Sequence, residues 1–119
     1  MCIRDSYGGV KIGDNVFIGA NTIVARGTID DTQIMDGCKI DTLCHIAHNV
    51  IIEENSVLIT NSLLYGSTRL KPNAYVASGM VRNQCTVGEN AMLGMGAVAV
   101  KDVPPDQTVV GNPAHELKK

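Results

Sequence analysis

The sequence predicts an all-β chain wound into a parallel β-helix of about five triangular coils, followed by a short C-terminal tail. Three columns of residues carry that prediction. Aliphatic anchors recur every six positions: Ile12, Ile18 and Val24, then, after the four-residue insertion Asp30–Gln33, Ile34, Ile40, Ile46, Ile52, Leu58, Leu64, Leu70 and Val76. Four positions after each anchor stands a mostly small residue, among them Thr22, Cys38, Cys44, Ser56, Ser62, Thr68, Ala74, Met80 and Ala91. Three positions after each anchor stands Asn or Gly, at Asn15, Asn21, Gly27, Gly37, Asn49, Asn55, Asn61, Asn73, Gly79, Asn90 and Gly96, with Leu43 and Ser67 as exceptions. Asn and Gly enter the left-handed backbone region at least cost, so a corner recurs every six residues.

Each six-residue rung is therefore a short strand and a corner. The small residue and the next anchor point inward, and the residue between them points out. Three rungs close a coil, and coils stack about 4.8 Å apart, each burying the open edge of the last. Along the chain, Met1–Ser6 ("MCIRDS") match a translated sequencing-adapter end and are expected not to belong to the natural protein, which would be cut upstream of Tyr7. The β-helix then occupies residues 7–111 and the tail 112–119. The segment Arg82–Thr86 ("RNQCT") reads as a rung one residue short, before the period resumes at Val87 and Leu93.

Composition agrees with such a core. Aromatic residues make up 3% of the chain and Trp is absent, so the 45% that is hydrophobic must pack as Val, Ile, Leu and Ala. A net charge of −2 gives no electrostatic case for nucleic acid or an acidic membrane. No apolar run approaches a membrane span and no secretory segment is present, so a cytoplasmic location is expected. Cys38 and Cys44 fall in the inward small column and Cys85 in the irregular rung, where thiols act as small hydrophobes.

The stretch Cys44–Ile51 ("CHIAHNVI") holds two histidines three apart. His45 lies between an inward small residue and an anchor, so it points out from the middle of a face, in a column with Ile23, Leu63 and Val81. Such an exposed apolar column is expected to meet another subunit. His48 stands at a corner, one coil below Gly66 and one above Arg26, where the insertion leaves the prism. It is a solvated corner residue or a residue facing a ligand. The two histidines leave from different parts of the coil, so no metal site is expected.

These residues carry a resemblance. The hexapeptide columns resemble the left-handed β-helix acyltransferases. "ARGTIDDTQIMDGCKIDTLCHIAHNVIIEEN" (25–55) with "GS" at 66–67 is similar to the UDP-3-O-acylglucosamine N-acyltransferases of lipid A biosynthesis, and "GMGAVAVKDVPPDQTVVGNPA" (94–114) to acetyltransferases of the wider superfamily. The resemblance implies a left-handed winding and a bacterial homotrimer with active sites between prisms. It implies acyl transfer from acyl-CoA or acyl carrier protein, with no tightly bound cofactor, to an amino or hydroxyl group of a nucleotide-sugar or amino sugar. It implies His48 as general base, Asp41 as its orienter or a sugar contact, and the Gly66 N–H as oxyanion donor. Arg26, Asp30, Asp31 and Asn49 fall where the sugar would bind; Asn83, Gln84 and Lys101 fall along the donor path. The chain departs from the pattern at Ala25, in a histidine-free "RNQCT", in lacking a uridine-binding domain, and in the short tail "HELKK". These departures point to a relative acting on another sugar. A non-catalytic trimeric scaffold is the alternative.

Overall fold

The computed structural model describes residues 8–117, so the expectation for Met1–Ser6 lies outside the described residues. The chain is a left-handed parallel β-helix, 48 × 27 × 23 Å, with no helix among the described residues. Among the described residues no helix is long and apolar enough to cross a membrane. The first coil comprises β1 (Val10–Ile12), β2 (Phe17–Ile18) and β3 (Ile23–Val24); the second β4 (Thr32–Ile34), β5 (Lys39–Ile40) and β6 (His45–Ile46). The third holds β7 (Ile51–Ile52), β8 (Val57–Leu58) and β9 (Leu63–Leu64), and the fourth β10 (Arg69–Leu70), β11 (Tyr75–Val76) and β12 (Met80–Val81). The fifth holds β13 (Thr86–Val87), β14 (Met92–Leu93) and β15 (Val98–Ala99).

Three parallel sheets form the faces of the prism. The first face stacks β1-β4-β7-β10-β13 and the third stacks β3-β6-β9-β12-β15. The second stacks β2-β5-β8-β11-β14 and continues into β16 (Thr108–Val110). A bridge from Val103 to Val87 and strand β16 add a sixth turn beyond the five expected. The tail does not hang free: β17 (His115–Glu116) folds back antiparallel on β16.

The anchors from Ile34 to Val76 are each at most 1% exposed, and inward Cys38, Cys44, Val50 and Ala74 fill the space between them. Two buried serines in the small column hand their hydroxyls to carbonyls, Ser56 Oγ donating to Lys71 O at 2.9 Å and Ser62 Oγ to Ile59 O at 2.6 Å, whereas buried Thr68 Oγ1 has no partner among the described residues. Gly27, where the insertion leaves the prism, is not in the left-handed region, but the Asn corners hold as expected, with φ near +60° at Asn15, Asn21, Asn49, Asn55, Asn61, Asn73 and Asn90. Leu43 and Ser67, the exceptions in that column, adopt the same φ, which costs each about 1–2 kcal/mol that coil stacking must offset.

The structure corrects the position of the short rung. It lies at Ala77–Val81, since Val76 and Val81 are both buried anchors five residues apart, whereas Arg82–Val87 is a full rung. Ser78 takes the corner with φ +55°, and Gly79 becomes the inward small residue, where a Cβ would meet Leu93 Cδ2 at 2.7 Å. Met80, expected inside, is 40% exposed, and Val81, expected outside, is buried. A one-residue slip exchanges the faces of every side chain up to the next correction. The exposed column around His45 is therefore Ile23, Leu63, Met80 and Val98.

Candidate active site

Passing from the third face to the first, each coil makes one corner, and these corners stack into an edge. In order along the axis it presents Arg26–Gly27, His48–Asn49, Gly66–Ser67, Asn83–Gln84 and Lys101–Asp102. Ser67 N–H donates to His48 O at 2.9 Å and Gln84 N–H to Gly66 O at 3.0 Å, which fixes the register of the stack. All the residues expected to serve the reaction lie on or beside this edge, save one. Asp41 sits on the edge between second and third faces, where its Oδ1 accepts from Thr42 N–H at 2.8 Å. A whole face separates it from His48 within the same chain.

His48 is exposed and its ring lies over Gly66. A Cβ on Gly66 would stand 2.5 Å from both Cε1 and Nε2 of the imidazole. Gly66 is not at positive φ. Its lack of a side chain is therefore needed for the approach of the ring, not for the turn. The Gly66 N–H donates no backbone hydrogen bond among the described residues. A bare N–H beside an imidazole is the pairing an acyl-transfer site uses: one group takes a proton while the other receives charge on a carbonyl oxygen.

Beneath His48 the insertion is held from two sides. Residues 8–11 clamp it through Arg26 Nε to Gly8 O (2.8 Å), Gly9 N–H to Asp31 Oδ1 (2.7 Å) and the Lys11–Asp31 ion pair (3.6 Å). From above, Asn49 clamps it through its own side chain. Its Nδ2 donates to Asp30 O at 2.9 Å, and its Oδ1 accepts from Thr28 Oγ1 at 2.8 Å and Thr28 N–H at 3.3 Å. Between clamp and first face opens a cavity of about 380 Å³ lined by Lys11, Ile29, Asp30, Asp31, Gln33, Asn49 and Ile51. Of the four expected sugar contacts, Arg26, Asp31 and Asn49 are thus engaged in holding the loop, and Asp30, Asp31 and Asn49 line the cavity.

Above Gly66, Asn83, Gln84 and Lys101 are exposed along the same edge. Lys101 also borders a second cavity of about 370 Å³, with Asp102, His115 and Glu116, at the last turn of the prism. The cysteines Cys38, Cys44 and Cys85 are buried inside, and burial pushes the Cys38 and Cys44 thiols up from 9.0. Among the described residues no three His, Cys, Asp or Glu side chains gather as a metal site.

Two features escaped the sequence. Thr28 and Gln33 belong to the site, but only the path of the insertion brings them to Asn49 and the cavity. The second face is also apolar, with Phe17, Val57, Tyr75 and Met92 outward around Lys39. The residue before each anchor in that rung was signal enough to find it.

Comparison with known proteins agrees with the repeat and the fold. The family model for the hexapeptide repeat of succinyl-transferase matches residues 9–42. A Schizosaccharomyces pombe protein classed by inference as an acetyltransferase is 37% identical over 51 residues, 42% of this chain and 25% of that protein. The alignment thus spans about a quarter of the curated relative. LpxA from Acinetobacter baumannii superimposes with a TM-score of 0.89 at 24% identity, over 96% of this chain and 45% of that one. PerB from Caulobacter crescentus, solved with CoA and GDP-perosamine, does so at 0.76 and 21% identity, over 94% of this chain and 59% of that one.

Proposed function

We propose that this chain, which has the repeat and the fold of the hexapeptide-repeat acyltransferases, moves an acyl group from a pantetheine thioester to a sugar amine or hydroxyl. The observation that carries the reading is the imidazole of His48 lying over Gly66, whose N–H has no backbone partner among the described residues, beside a polar cavity. The acceptor nitrogen or oxygen attacks the thioester carbon and its proton passes to His48 Nε2. The carbonyl oxygen, now negative, is held by the Gly66 N–H. Collapse re-forms the carbonyl and expels the thiolate, which takes the proton from His48. A neutral imidazole is suited to the first transfer near pH 7, and the imidazolium it becomes is suited to the second.

The acceptor is a nucleotide-sugar or amino sugar seated against Asp30, Gln33 and Asn49, and the lipid A N-acyltransferase resemblance supports the amine. The donor, acyl-CoA or acyl carrier protein, runs upward past Asn83, Gln84 and Lys101. PerB's complex with CoA and a nucleotide-sugar supports that pairing of substrates. The working form is a cytoplasmic homotrimer. The apolar second and third faces meet at the edge that carries Asp41. Packing those faces between neighbours brings one prism's Asp41 edge towards the next prism's His48 edge, the arrangement in which Asp41 can assist the base.

Release of thiol from acetyl-CoA or acyl carrier protein in the presence of amino-sugar nucleotides tests the reaction. Thiol release that requires the sugar and is lost in His48→Ala is expected; none with any acceptor leaves the scaffold alternative. Sedimentation at micromolar concentration is expected to give a trimer, and a stable monomer would remove the intersubunit role of Asp41.

A further inference from the structure

Asn49 occupies a corner position like those of Asn15, Asn21, Asn55, Asn61, Asn73 and Asn90, with the same φ near +60°. The backbone alone accounts for an asparagine at each. Among the described residues, however, only Asn49 has a side-chain amide with a set of hydrogen bonds. Both ends of that amide are determined. Nδ2 faces the Asp30 carbonyl, which only accepts, and the other atom faces the Thr28 N–H, which only donates; the Thr28 hydroxyl, able to do either, donates to that same atom. Rotating the amide by half a turn would set oxygen against oxygen and N–H against N–H. The atom that faces His48 Nδ1 at 3.2 Å is therefore Oδ1, which only accepts.

We propose that Asn49 is a positioning residue: its Oδ1 holds the His48 proton on Nδ1 and thereby leaves Nε2, the nitrogen over Gly66, with a free lone pair. The insertion then has a function in the chemistry. Thr28 and Asp30 fix the amide, the amide fixes the imidazole tautomer, and the tautomer decides which nitrogen accepts the substrate proton. This deepens the assignment of His48 as base and rests on it for its catalytic meaning, but the tautomer itself is measurable without substrate.

A long-range proton–nitrogen correlation spectrum of the isotope-labelled protein, at about pH 8.5 where imidazoles are ordinarily neutral, reads it directly. His48 is expected to carry its proton on Nδ1, with an unprotonated Nε2. Asn49→Gly keeps the left-handed corner and deletes the amide; the His48 signals are expected to move towards the Nε2–H form. Thr28→Val, which leaves the corner residue in place and removes one anchor of the amide, is expected to move them part of the way. A proton on Nε2 in the parent, or a tautomer unmoved in both folded variants, would overturn the proposal. In the thiol-release assay Asn49→Gly is expected to lower kcat by roughly tenfold to a hundredfold with KM changed less. If the tautomer moves while kcat does not, His48 is not the base, and the failure belongs to the acyltransferase reading.

Discussion

The edge bearing His48 and the edge bearing Asp41 are built from the same six-residue turn, yet their side chains do different things. On the Asp41 edge, hydrogen bonds run from coil to coil: Thr22 Oγ1 donates to Asp41 O at 2.8 Å and Thr60 Oγ1 to Thr42 O at 2.8 Å. Of its glycines, Gly96 has φ +70° and open space where a Cβ would stand, so it is there for the turn, while Gly19 and Gly94 are packed against Thr42 and Val110 of the next coil. On the His48 edge the repeat is broken by an insertion, and Gly66 and Gly27 lie outside the left-handed region with neighbours crowded against them. The difference teaches that the repeat specifies the prism, while departures from it mark where a ligand would be handled. A glycine that makes room for an imidazole, as Gly66 does, is a better pointer than one required by a turn or by the packing of a coil.

The largest effect expected separates the edges at once. His48→Ala should lower turnover by roughly 10²–10⁴ with an unchanged melting temperature, because an exposed corner side chain contributes little to packing. Asp41→Ala, on the other edge, should lower turnover only in so far as the trimer forms. Steady-state thiol release combined with thermal unfolding checks both, and equal turnover in His48→Ala and parent would end the distinction.

Gly66→Ala and Gly96→Ala form the next pair. At Gly66 the new methyl would occupy the place of the imidazole, so turnover should fall by roughly tenfold to a hundredfold as the ring is displaced by about 1 Å, with little loss of stability. At Gly96 the methyl meets nothing but is forced to positive φ, so stability should fall by about 1–2 kcal/mol with turnover retained. Urea unfolding and turnover measured on both variants should give opposite patterns. The same pattern in both would mean that the two glycines serve one purpose.

How much of this is legible in the sequence follows from what six-residue periodicity encodes. The anchors and Asn corners specify the coil, the faces and the one-coil offset between His48 and Gly66. The short rung is misread from sequence because Gly79 resembles a corner glycine, and only the buried Val81 reveals that Ser78 makes the turn. The clamp of Asn49 on Thr28 and Asp30 is not legible, since an insertion leaves the repeat and its path is set by contacts with residues 8–11. The separation of Asp41 from His48 is legible in the register, because seven residues carry the chain round one corner and across a face.

A smaller effect concerns the interior that both edges share. The Cys38 and Cys44 thiols are pushed above 9.0 chiefly by burial, so the fold favours their neutral form. Their stabilising contribution is complete below the unfolded thiol value and is lost as pH rises through the higher folded values. Unfolding free energy should therefore decline above pH 9.0, and iodoacetamide should label these thiols below that pH only after denaturation. Rapid labelling in the folded protein would show an interior open to solvent.

The smallest expected effect is at His45, and it tests whether position in the rung, not residue type, separates the two histidines. His45 points out of the third face between Ile23 below and Leu63 above, and no hydrogen bond from its ring is found among the described residues. His45→Ala removes an exposed ring from an apolar column that faces a neighbouring prism in the proposed trimer. Turnover per trimer should stay within about twofold of the parent, and the free energy of unfolding within about 0.5 kcal/mol, as for surface changes away from special features. What should move is assembly: a modest rise in the protein concentration at which trimers dissociate, read by sedimentation. A loss of turnover in His45→Ala comparable to that in His48→Ala, with the trimer intact, would place the chemistry on the face instead of the edge, and the contrast between the two regions would fail.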